Sequence, residues 1–147
     1  MQRANIYQQV LRETLDGREL EASVLFSGAQ KLRKCAGGWE QRHTQEFEER
    51  LTEALQFNQK LWSYLQVELG SPANPLPETL RMNLLQLSKF IDKRIFALFA
   101  GSGTMDDLLS IARINEHIGG GLQVNTPSSL AGVEEAQSSI RVRNITG

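Results

Sequence analysis

Few residues in this chain are equipped for chemistry. His43 and His117 are its two histidines, and Cys35 is its one cysteine. A metal site needs several His, Cys or carboxylate ligands at short spacing, as in His-x-x-x-His on one helix face, and neither histidine has such a partner. Both read as surface residues, with Glu116 offering His117 a local ion pair. Cys35 has no second thiol for a disulfide or a metal. It reads as a half-buried residue near a helix end, in a reducing compartment. The run Gly119-Gly120-Gly121 lacks the Lys-Ser/Thr and the preceding strand of a phosphate loop. Gly101-Ser102-Gly103 precedes a helix start whose free N–H groups could take an anion, but Asp106 and Asp107 in the first turn oppose one. No serine lies in a nucleophile-elbow pattern. The expectation is a protein that is not an enzyme and needs no cofactor and no metal.

Two amides stand out instead, because they fall on apolar faces. At about 100° per residue, Asn58 lies at the centre of the stripe formed by Leu51, Leu55, Leu61, Trp62 and Leu65. Asn115 does the same among Leu108, Ile111, Ala112, Ile118 and Leu122. A buried amide without partners costs about 1–3 kcal/mol, so each should find hydrogen bonds. Either the amides pin helix register or tie down a loop, with Trp62 as a further structural support, or one of them meets the backbone of another protein.

The apolar surface is larger than one stripe per helix requires. Met82, Leu85, Phe96 and Phe99 lie away from the line Leu80, Leu84, Leu87, Ile91, Ile95 and Leu98, and Phe57 and Tyr64 sit seven apart on a flank of the Asn58 stripe. A helix apolar on two sides is either central in its bundle or covered by something else. The second alternative makes Phe57, Tyr64, Met82, Leu85, Phe96 and Phe99 candidate partner-binding residues, lining a groove for an amphipathic helix.

The elements that must position these residues read as an all-α fold, a compact bundle of about five helices with a flexible C-terminal tail. The chain has 147 residues, 40% hydrophobic and 22% charged, enough for one core without disulfides. Helical periodicity covers residues 4–15, 18–36, 44–69, 77–100 and a last segment beginning at Thr104 and ending at the three glycines. Ala22, Leu25, Ala29, Leu32 and Ala36 make one face of the second segment. Thr44 starts the third and Thr104 the fifth as N-cap residues. Between the third and fourth lie Pro72, Pro75 and Pro77; Pro77 suits a helix start, and with Pro75 it makes a stiff turn that fixes the angle between the two most apolar helices. Residues 1–122 read as the helical domain, and 123–147 as an extension in which Leu130, Val133 and Ile140 can form a short amphipathic piece.

The formal net charge of −1 supplies no field for nucleic acid or acidic lipid. The run "IFALFA" is too short to span a bilayer, and "MQRANIYQQV" lacks the apolar core of a signal peptide. The expectation is a cytoplasmic protein with no direct nucleic-acid binding and no membrane insertion.

In order and spacing, "RELEASVLFSGAQKL" (18–32), "LTEALQFNQKLWSYL" (51–65), "NPLPETLRMNLLQLSKFI" (74–91) and "LLSIARINEHIGGGL" (108–122) make the chain resemble the flagellar biosynthesis regulator FlaF family of alpha-proteobacteria. Gly17 stands where members usually carry proline, and residues 123–147 lie outside the resemblance. The resemblance implies a small helical factor for flagellin production, export and filament assembly. Its implied client is flagellin, whose amphipathic terminal helices need masking before type III export, and its implied functional partners are FlbT and the export apparatus. Alternative readings under the same resemblance are a post-transcriptional regulator of flagellin messenger RNA, direct or through FlbT, and an adaptor at the export gate.

Overall fold

A computed structural model of the chain describes residues 18–123. The described residues form four α-helices, α1 (Arg18–Gly37), α2 (Gln45–Gly70), α3 (Glu78–Phe99) and α4 (Met105–Gln123), with a short 3-10 turn at Trp39–Gln41 between α1 and α2. No strand occurs among the described residues. The helix expected over residues 4–15 and the amphipathic piece expected around Leu130, Val133 and Ile140 fall outside them.

Short connections make successive helices run antiparallel. Lys31 meets Glu53 and Gly28 meets Asn58 between α1 and α2, while Gln66 meets Asp92 and Leu69 meets Arg81 between α2 and α3. The broadest contact is between α1 and α4, the chain's first and last described helices; α3 packs mainly on α2 and only slightly on α4. The core between them contains Leu25, Leu32, Leu55, Trp62, Leu87, Ile91, Ile95, Leu108 and Ile111, all at most 1% exposed.

Each helix end has a local cause. The Thr44 hydroxyl accepts from Phe47 N–H at 3.2 Å and caps α2. At α4, Thr104 and Asp107 cap each other: Asp107 N–H donates to Thr104 Oγ1, and Thr104 N–H donates to Asp107 Oδ2. Asp107 also receives Arg94 of α3 at 3.4 Å, so one carboxylate closes a helix end and ties two helices. The α3 C-terminus closes through Gly101, whose φ of 81° lets Gly101 N–H reach Leu98 O and Ser102 N–H reach Ala97 O. Pro77 is the N-cap of α3, one residue before the helix proper.

Three expectations are corrected. The glycine run does not end the last helix, because α4 continues through Gly119, Gly120 and Gly121 to Gln123. Each glycine costs about 1 kcal/mol of helix propensity, but packing opposes that cost: a Cβ on Gly119 would stand 3.4 Å from the Ala22 carbonyl and 3.3 Å from the Phe26 ring of α1. Cys35 is fully buried, at 4% exposure, rather than half-buried. His117 is half-buried rather than on the surface.

Candidate functional site

Where α1, α2 and α4 meet, the two amides form one buried relay. Trp62 Nε1–H donates to Asn115 Oδ1 at 2.9 Å. The Asn115 amide nitrogen donates to Asn58 Oδ1 at 2.7 Å and more weakly to Leu25 O at 3.4 Å. Asn58 in turn donates to Gly28 O at 3.2 Å and to Ala54 O at 2.8 Å. An indole nitrogen can only donate, so Trp62 orients Asn115 and Asn115 orients Asn58. Both amides are 0% exposed, and every one of these contacts is internal to the chain. Both amides are thus paired within the chain, and neither faces outward.

Gly28 completes this centre. A Cβ there would lie 2.6 Å from Asn58 Oδ1 and 3.0 Å from Asn115 Nδ2. Nothing within α1 announces it: a glycine among good helix formers reads as a weak spot until its neighbours are known.

The proline joint is a hydrogen-bonded turn. Pro72, Pro75 and Pro77 are exposed and fix backbone angles, but the polar work falls to Asn74. Its side chain donates to Glu68 O at 2.9 Å, at the end of α2, and accepts from Leu76 N–H at 2.9 Å, just before α3.

The six candidate contact residues do not share one surface. Phe57 is half-buried beneath Lys31 of α1, whose ammonium lies 5.2 Å from the ring centroid. Tyr64 is two turns further along the same flank, and its hydroxyl bonds Glu68. Gln66 is nine residues from Phe57, half a rotation around α2, and it is Gln66 that bonds Asp92 of α3. Phe57 and Tyr64 therefore face away from α3. The other four lie on one side of α3, with Lys89 and Asp92 between Leu85 and Phe96. Met82, Leu85 and Phe96 form an outer row along α3, with Phe99 on its inner edge. Met82 is 53% exposed, Phe96 76% and Phe99 44%, while Leu85 is half-buried against the core.

Phe99 also belongs to a cleft of about 460 Å³ at the end of the bundle where the 3-10 turn, the start of α2 and the α3–α4 loop meet. Phe47, Leu55 and Leu98 are its buried floor. The loop closes tightly on that floor, since a Cβ on Gly103 would collide with the Leu98 side chain at 2.5 Å. Trp39 stands edge-on to Phe47, with ring centroids 5.8 Å apart. No single stretch of the chain announces the cleft, because its walls come from four separate segments.

Charge is concentrated elsewhere. Arg33 of α1 grips Glu116 of α4 through two hydrogen bonds of 2.8 and 2.6 Å. That grip holds the Glu116 carboxyl below its ordinary value, outweighing partial burial, and raises the Arg33 guanidinium. Burial pushes the Cys35 thiol up. Among the described residues no group of His, Cys, Asp and Glu is placed to hold a metal ion, and no helix is long and apolar enough to cross a membrane.

Compared with known protein families, residues 3–122 match the family described as "Flagellar protein FlaF". No curated protein and no solved structure matches the chain.

Proposed function

The chain belongs to the FlaF family of flagellar proteins, which places it in flagellar biogenesis, and on that premise we propose that it binds flagellin and shields one of its amphipathic helices. The observation that carries the reading is the outer row of α3. Phe96 lies near the end of a 22-residue helix with three quarters of its surface open, in line with Met82 and Leu85. An exposed row of Phe, Met and Leu on a rigid helix suits a partner's apolar face, with Met adapting to irregular contacts. The contact set is Met82, Leu85, Phe96 and Phe99; Phe57 and Tyr64, on the far flank of α2, are outside it. Asn58, Asn115 and Trp62 hold the scaffold, and Pro75 and Pro77 limit the freedom of the turn from which α3 starts.

Burying a phenylalanine side chain stabilises by about 1.5–3 kcal/mol, so losing Phe96 should weaken association by about ten- to a hundredfold. The test is size-exclusion chromatography of the purified full chain mixed with monomeric flagellin, with Phe96→Asp as the variant. Co-elution with the native chain, lost in a variant of unchanged helical content, is the expected result. Absence of any complex with the native chain, or equal binding by Phe96→Asp, overturns the reading.

A further inference from the structure

The cleft beside Phe99 has a chemistry that the α3 row lacks. Its floor is apolar, its walls carry Trp39 and Phe99, and its rim carries Arg42 and His43 from the loop before α2. The Arg42 guanidinium stacks 5.5 Å from the centre of the Trp39 ring and uses one nitrogen, Nη1, on Trp39 O at 3.2 Å. A guanidinium has five N–H donors in a planar fork, so donors remain for a ligand. The volume lies within the range of about 300–1,000 Å³ typical of small-ligand pockets, and the floor would be poorly matched by a wholly polar guest.

We propose that this cleft is an anchor site for a large apolar side chain joined closely to a carboxylate, as presented by an acidic amphipathic peptide helix. The apolar group enters between Trp39 and Phe99 above Phe47, Leu55 and Leu98. The carboxylate meets Arg42, and His43 adds a second nitrogen on the same side of the rim. Glu48 of α2 also lines the cleft. It disfavours an anion beside it and so favours the carboxylate at Arg42. Phe99 belongs to both the cleft and the α3 row, so the anchor serves the same bound helix; that identity of client rests on the proposed function, whereas the cleft chemistry does not.

Small probes test the cleft without flagellin. Trp39 and Trp62 are the two tryptophans of the chain, and Trp62 is sealed in the core at 1% exposure, so a quenching or shift of emission on adding ligand reports on Trp39. The full chain is titrated with 3-phenylpropionate and with 3-phenylpropylamine, its cationic counterpart. The expected result is a saturable signal with the carboxylate and a weaker one with the amine. Arg42→Gln should weaken the carboxylate by about tenfold, the scale of one charge-assisted hydrogen bond, and Glu48→Gln should strengthen it. Both substituted residues are exposed, so neither variant should unfold the chain. Equal affinity for the two probes, no response to Arg42→Gln, or weaker carboxylate binding by Glu48→Gln each overturns the assignment. If the probes bind as expected but flagellin does not, the cleft stands and the client reading falls.

Discussion

Replacing Gly28 with alanine sets helix propensity against the buried relay, and the structure decides the sign. Gly28 is in the interior of α1, where alanine should stabilise by about 1 kcal/mol. The new methyl carbon, however, would stand 2.6 Å from Asn58 Oδ1. Asn58 must then move, and it cannot do so without losing the 2.7 Å bond from Asn115 or the 3.2 Å bond to Gly28 O. A buried polar group left unpaired costs about 1–3 kcal/mol, and two are at risk. After subtracting the propensity gain, Gly28→Ala should destabilise by about 1–5 kcal/mol, on the order of 10 °C in Tm for a chain of this size. Urea denaturation followed by circular dichroism measures it. A second arm isolates the cause: in an Asn58→Ala background the 2.6 Å obstruction is gone and only the 3.0 Å approach to Asn115 Nδ2 remains, so adding Gly28→Ala should cost much less than it does in the native chain. A stabilised single variant, or the same loss in both backgrounds, would refute the reasoning, the latter by showing that the cost does not pass through Asn58.

Other outcomes follow from individual contacts. Asn74→Ala removes both bonds of the α2–α3 turn and should cost about 1–2 kcal/mol in the same denaturation assay, more than Pro75→Ala, which acts mainly by loosening the unfolded chain and should cost about 0.4–1 kcal/mol; a ranking in the other order contradicts the role given to Asn74. Glu116 titrates lower in the folded chain than in the unfolded one, so its pairing with Arg33 stabilises above the ordinary carboxylate range and fades as pH falls through the lowered folded value. Glu116→Gln should therefore reduce stability at neutral pH by less than about 1 kcal/mol, since the pair is partly solvated, and shrink the difference in strong acid; an equal deficit at both pH values contradicts this. Cys35, buried with its thiol pushed up, should resist maleimide at neutral pH and react promptly in denaturant, and rapid labelling of the native chain would place the thiol at the surface.

What the sequence revealed depended on whether the cause was local. Thr44 and Thr104 cap their helices through contacts three residues away, and the spacing of Ala22, Leu25, Ala29 and Leu32 already defines the buried face of α1. Asn58 and Asn115 drew attention because an amide inside an apolar stripe demands partners. The identity of those partners depends on how three helices cross, and a single helix's periodicity does not encode that. The same gap explains the glycines. Gly119 and Gly28 look like interruptions in sequence, yet a methyl group at Gly28 would collide with Asn58, and one at Gly119 would press on the Phe26 ring of α1. The supposed single groove around six apolar residues divides because Phe57 and Tyr64 lie on the α1 flank of α2, and which flank receives which neighbour is a tertiary choice. Asn74 was overshadowed by its prolines, although a side-chain turn at a helix end is a local motif.

The amide relay also bears on the order in which the molecule can come apart. Asn58 draws on Gly28 of α1 and Asn115 of α4, and Asn115 draws on Trp62 of α2. Removing α2 or α4 breaks the Asn58–Asn115–Trp62 chain, and removing α1 takes the Gly28 and Leu25 carbonyls from the two amides, so the relay couples α1, α2 and α4. The relay contains no residue of α3, which is held by its apolar stripe, the Asn74 turn and a few edge contacts such as Gln66–Asp92 and Arg94–Asp107. The helix that carries the exposed row is thus the one whose displacement would break none of the relay's hydrogen bonds, although Leu87, Ile91 and Ile95 hold it in the shared core.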